Sequence, residues 1–182
     1  MIKEKAFDIL CEYNPYGGAL ENHCIRLGEF AIALAARESL DLDYDLIYAG
    51  AYLHDIGLLV ADDDSPNYLY RGVAFTAPLL DAWGLDAFQK QQMRDMLLYN
   101  HSFRTVTGIT PMGEVLRRAV QVEHSLGKWS HGLERGVIKN IFRTYPRRGL
   151  NAVLTDFARI SFKRDGVGEM YRLFFPTTSE AE

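Results

Sequence analysis

Apolar residues recur three and four positions apart along almost the whole chain, and no strand-length run alternates apolar with polar. That period gathers side chains on one stripe of a helix and leaves nothing from which to build a sheet. Breakers divide the pattern. Residues 2–13 form a short amphipathic helix that Asn14-Pro15-Tyr16-Gly17-Gly18 ends. Residues 19–39 form a long helix with Leu20, Cys24, Leu27, Phe30, Ala31 and Leu34 on one stripe. Asp43 is placed to cap a third helix, 44–56, which is apolar almost all round and therefore central. Further helices are expected over 68–82, with Pro78 as a kink point, and over 86–99. Thr110-Pro111 supplies an N-cap and a first helical residue for a sixth helix reaching 128. Segments 133–144, 150–162 and 167–174 complete an all-α chain of eight or nine helices, read as one domain over 1–182. The Asp62–Asn67 stretch reads as a loop, His131 as a turn residue and the tail TTSEAE as frayed.

At 182 residues and 48% hydrophobic content, the chain can bury a core without staples. Its formal charge of −4 argues against nucleic-acid binding, which needs phosphate neutralised. The charge is unevenly spread. Residues 117–172 carry 12 Lys/Arg against 5 Asp/Glu, whereas 1–116 carry 8 against 17. Two differently solvated surfaces explain the split; so does a basic half that helps hold an anionic substrate. Cys11 and Cys24 are too few for a disulfide framework and too far apart for a CxxC motif. No segment has the run of about 18 apolar residues that spans a bilayer, and MIKEKAFDIL is a poor signal peptide. A cytoplasmic protein that does not engage a membrane is expected. A homodimer is left open.

The five histidines carry most of the chemical information: His23, His54, His101, His124 and His131. His54 and Asp55 are adjacent at the end of the apolar segment YAGAYLHDIGLL. Polar groups there need partners. A divalent ion meets that need, because neutral imidazole and carboxylate are its usual ligands; an imidazole–carboxylate pair closing a helix end meets it as well. His23 lies on the preceding helix, and antiparallel helices joined by a short loop can bring it to His54. His101 follows the fifth helix in LLYNHSF.

NHCIRLGEFAIALA followed by GAYLHDIGLL resembles the HD superfamily of metal-dependent hydrolases, over residues 19–127 and, through SLGKW…GLERGVI…YPRRGLN, to about 155. The resemblance implies an all-α bundle with a divalent ion (Mn, Fe, Zn, Co, Ni or Mg). The ion would sit on His23, His54 and Asp55. The implied reaction is metal-assisted hydrolysis of a small phosphorylated compound such as a nucleotide, with Asp55 as ligand and bridge. His101 matches a residue of an extended site and is a catalytic candidate. Some relatives hydrate a small nitrile-type group, and the NHCIR and HDIGL segments are similar to theirs too. The family's fourth ligand is an Asp after an Ala on a late helix. Here Arg118-Ala119-Val120-Gln121-Val122-Glu123-His124 puts Val120 at that position, and valine cannot bind a metal. Glu123 and His124 follow on roughly the same helical face and are the candidate replacements, Glu123 first. If neither serves, the domain is a degenerate one that binds a ligand or partner.

Three polar residues complete the candidate site. Arg26 follows His23 at HxxR spacing and is a candidate phosphate contact or support. Arg71 is a phosphate clamp or a helix-surface residue. Asn100 orients a ligand or caps a helix. The stretch from Asp41 is not a calcium loop, since Leu46 and Tyr52 stand where Gly and Glu are required.

Overall fold

The breakers read from the sequence fall at helix ends. The computed structural model describes residues 1–61 and 63–176; Asp62 and the TTSEAE tail lie outside them. Among the described residues there are nine α-helices, no strand, and one 3₁₀ turn, Ile56–Leu58. The helices are α1 (Ile2–Tyr13), α2 (Gly18–Arg37), α3 (Tyr44–Leu53), α4 (Tyr68–Ala82) and α5 (Ala87–Leu98). They continue with α6 (Pro111–His124), α7 (Arg135–Thr144), α8 (Leu150–Arg164) and α9 (Gly166–Phe174).

Local chemistry accounts for the starts. The Asp43 carboxylate accepts from the backbone N–H groups of Asp45 and Leu46, relieving donors that α3 leaves unpaired. Asp86 and Gln89 cap α5 reciprocally. The Thr110 hydroxyl accepts from Gly113 N–H, with Pro111 as the first helical residue of α6. Pro78 sits inside α4 without ending it. Two stops differ from expectation by three residues or more. Helix α3 ends at Leu53 rather than 56, because the chain tightens there into the 3₁₀ turn. Helix α6 ends at His124 rather than 128. Leu126 and Gly127 adopt positive φ of 55° and 79°, and Gly127 N–H turns back to the Val122 carbonyl at 2.7 Å. His131 is a turn residue with φ of 47°.

Helix α3 is central, as its all-round apolar surface requires, packing against α1, α2, α5 and α6. Helix α2 also packs on α6, α7 and α8. The main core joins Leu27, Phe30 and Leu34 of α2 to Leu46, Ile47 and Leu53 of α3 and to Met93 and Met96 of α5. Burying each large side chain of this kind contributes about 1.5–3 kcal/mol. A second apolar cluster, with Leu10, Leu20, Leu58, Tyr68, Leu98 and Phe157, lies between the first helices and α8. The polar site sits against this second cluster. No helix among the described residues is long and apolar enough to cross a membrane. Cys11 is exposed, Cys24 is buried, and both are free thiols.

Candidate metal centre

His23 projects from the second turn of α2, His54 is the residue at which α3 ends, and Asp55 opens the 3₁₀ turn. The change from α to 3₁₀ winding turns two adjacent side chains toward one point. Gly57, two residues on, makes this turn possible. A Cβ there would overlap the Tyr68 carbonyl oxygen and crowd the Gly72 nitrogen, so the start of α4 lies directly on the turn. Asp165, at the α8–α9 junction, fixes that same start. Its carboxylate accepts from Tyr68 N–H, from Arg71 Nη2 and from the Ser161 hydroxyl.

Ligand-type atoms of His23, His54 and Asp55 all lie within 4.8 Å of one another, and all three residues are buried. Hydrogen bonding sets their orientation. His23 Nδ1 is 3.3 Å from Glu123 Oε1, and His54 Nδ1 is 2.8 Å from the Ala51 carbonyl oxygen. Both partners are acceptors, so each Nδ1 carries the proton and donates it. The two Nε2 atoms are left buried without a hydrogen-bond partner, as is Asp55 Oδ1. Metal-ligating histidines show this arrangement: the far nitrogen is tied to a carbonyl or carboxylate and the near one is free. The donor set of two imidazoles and a carboxylate therefore suits a divalent transition ion.

Within the group, the side chains balance one another's charge. Burial disfavours charge on His54, but Asp55 Oδ2 at 2.9 Å outweighs it and holds the imidazole well above its ordinary value. Burial acts to raise Asp55, and His54 and His101 overcome it, holding the carboxyl well below its usual range. His23 is pushed down by burial despite Glu123. A cation binding here competes with the proton on His54.

Glu123 is not brought to the cluster. Its side chain is fully buried on the Nδ1 side of His23, where Oε1 accepts from Arg26 Nη2 at 2.7 Å and Oε2 from Arg26 Nε at 3.0 Å. Arg147 Nη1 adds a third cationic contact at 3.0 Å. The expectation of Glu123 as a ligand is corrected: it holds the back of a ligand instead. The surrounding cations keep its carboxyl at about 2, against burial that would raise it. Arg26, expected near substrate, is spent on Glu123 and the Tyr145 carbonyl.

His124 is one position further round α6 and faces the other way. Its ring stacks 5.9 Å from His23 and lies 5.4 Å from His101. His101 Nε2 is 3.5 Å from Asp55 Oδ1, and its ring is 6.5 Å from that of His54. Four imidazoles thus surround Asp55. Desolvation by the packed rings around it, and then the nearby His101 and His23, push the His124 imidazole below its ordinary value. Val120 is buried and makes no ligand contact. Asn100 caps α5 by donating to the Met96 and Leu97 carbonyls, and its Oδ1 is buried without a partner.

Two cavities meet at His101, His124 and Phe174. The first, of about 210 Å³, contains Asp55 and is walled by α8 and α9. The second, of about 310 Å³, lies toward Asn100, Phe103, Val120 and Trp129. Neither has a Lys or Arg in its lining. Arg71, the expected clamp, is buried elsewhere, donating to the Gly57 carbonyl and to Asp165. The basic residues of 117–172 also stay away from both. Arg117 bonds Glu114, Arg118 bonds Glu38 and Arg172 bonds Glu169.

Neither Tyr68, which lines the first cavity, nor the α8–α9 wall was signalled by any motif. Arg147 lies in the YPRRGLN segment, but its role could not be read there, because its partner lies 24 positions away. No protein-family model matches the chain, and no curated protein is significantly similar to it.

Proposed function

We propose that the chain is a metal-dependent hydrolytic enzyme of HD type, acting on a small molecule by way of activated water. One observation carries the reading: two buried histidines have their Nδ1 protons committed, while their Nε2 atoms make no well-aligned hydrogen bond and stand beside a buried carboxylate, His54 Nε2 at 2.9 Å from Asp55 Oδ2. A divalent ion held by His23, His54 and Asp55 supplies a Lewis acid and brings the acidity of water toward neutral pH. The chain's own residues do the rest. Glu123 and Ala51 hold the two imidazoles in the ligating tautomer. Asp55 serves as ligand through one oxygen, while its Oδ1 faces His101 and can pass a proton between water and that imidazole. His124 flanks the group, its ring 5.9 Å from that of His23 and 5.4 Å from that of His101.

Elemental analysis of the protein, as purified and after reconstitution with Mn²⁺, Fe²⁺, Zn²⁺, Co²⁺, Ni²⁺ or Mg²⁺, tests this. About one equivalent of metal is expected, lost in His54→Ala together with any chelator-sensitive hydrolysis. Absence of stoichiometric metal under every condition, with activity unchanged in His54→Ala, rejects it. The same result would favour the second reading, a metal-free binding module, whose support is the valine at position 120.

A further inference from the structure

The cavity beside Asp55 has a polar floor and an apolar wall. Asp55, His101 and His124 form the floor. Leu154, Phe157 and Ala158 of α8, with Met170, Leu173 and Phe174 of α9, form the wall. The three arginines nearest to a claim on this region are engaged elsewhere: Arg26 with Glu123, Arg71 with Asp165, Arg147 with Glu123. Among the described residues, the only fixed charge on the floor is the carboxylate of Asp55. A divalent ion less that charge leaves one positive charge, short of the about two negative charges of a phosphate monoester. Among the described lining residues no Lys or Arg supplies the remainder, which leaves it to protonation of the His101 or His124 imidazole, and an unpaired charge in such surroundings is costly. The wall offers a favourable surface to hydrocarbon. At about 30 Å³ per water, the space holds about seven water-sized groups.

We infer that this site takes a small uncharged substrate with a short apolar body and a single polar, hydrolysable head, of the amide or neutral ester class, rather than a phosphorylated one. The body lies against α8 and α9, and the head faces Asp55 and His101. The inference rests on the water-activating reading of the same centre for its chemistry, and on the cavity lining for its specificity.

Isothermal titration of the metal-reconstituted protein with pentanamide and with butyl phosphate tests it. The two probes share a four-carbon chain and differ in charge. Pentanamide is expected to bind at least about tenfold more tightly. Leu154→Gln, which makes the wall polar, should weaken pentanamide by about tenfold, and any butyl phosphate seated in the cavity by a similar factor, since both present the same chain to the wall. Ala158 is exposed on α8, where lysine suits the helix, so Ala158→Lys should fold normally. It should raise the affinity for butyl phosphate by about tenfold or more. Wild-type protein that binds butyl phosphate as tightly as pentanamide, or binds neither, overturns the inference even if the metal is present and the proposed function stands. A preference for pentanamide that persists in protein unable to hold metal supports the specificity argument and sinks the catalytic one. An Ala158→Lys variant that gains no affinity for butyl phosphate also counts against the inference.

Discussion

His23 separates two buried polar regions of opposite character. Behind it, Glu123, Arg26 and Arg147 satisfy one another with short, aligned contacts. In front, His54, Asp55 and His101 stand close, yet buried polar atoms go without a directed bond. A satisfied network ties helices together; buried polar atoms without a directed bond are a place where another group can bind. The rear group joins α2, α6 and the segment before α8. The front group joins nothing that the core does not already join.

The contrast breaks most sharply at Glu123. Replacement by Ala leaves Arg26 buried without a counter-charge, and a loss of about 3–5 kcal/mol in urea unfolding is expected. If the variant is as stable as wild type, the rear network is not structural. Gly57→Ala comes next. Its methyl group must displace backbone of α4, at about 1–3 kcal/mol, and should lower metal affinity by moving Asp55. Thermal unfolding and a metal titration read the two effects separately.

Glu123→Gln sharpens the comparison. It keeps an acceptor for His23 but removes the charge, so metal affinity should fall by about tenfold, within the range for outer-shell changes. The acid profile should change as well. Wild-type Glu123 titrates at about 2 when folded, against an ordinary 4.5. Its contribution is complete above about 4.5 and disappears as the pH falls from there toward 2. The Gln variant should lack that loss, and identical acid unfolding curves would contradict the ion-pair assignment. The smallest effect on stability belongs to the front group. His124→Ala should change unfolding by no more than about 0.5 kcal/mol, because the residue is exposed. Its metal affinity should nonetheless drop; an unchanged affinity removes His124 from the site.

The helices were legible because their punctuation is local. Asp43, Asp86 and Thr110 act on backbone groups two or three residues away. The front group was legible for a related reason: HDIG at the end of an apolar helix is a short-range pattern, and His23 needed only the neighbouring helix. Glu123 was misjudged because neighbouring positions on a helix point about 100° apart. The chain pattern could not say which of Glu123 and His124 faced the cavity. Arg26 and Arg71 resembled anion clamps, since nothing local reveals partners 97 and 94 residues distant. The cavity wall was hidden because it comes from packing α8 and α9 against a turn some hundred residues earlier.

Gly57 and Asp165 together have a mechanical consequence. Without a side chain at Gly57, the turn bearing Asp55 rests on the first residues of α4. Asp165, between the two wall helices, grips those same residues through Tyr68 and Arg71. Wall and floor therefore share one hinge. The width of the cavity and the placement of the carboxylate are set together, and a redesign that opens one for a larger molecule resets the other.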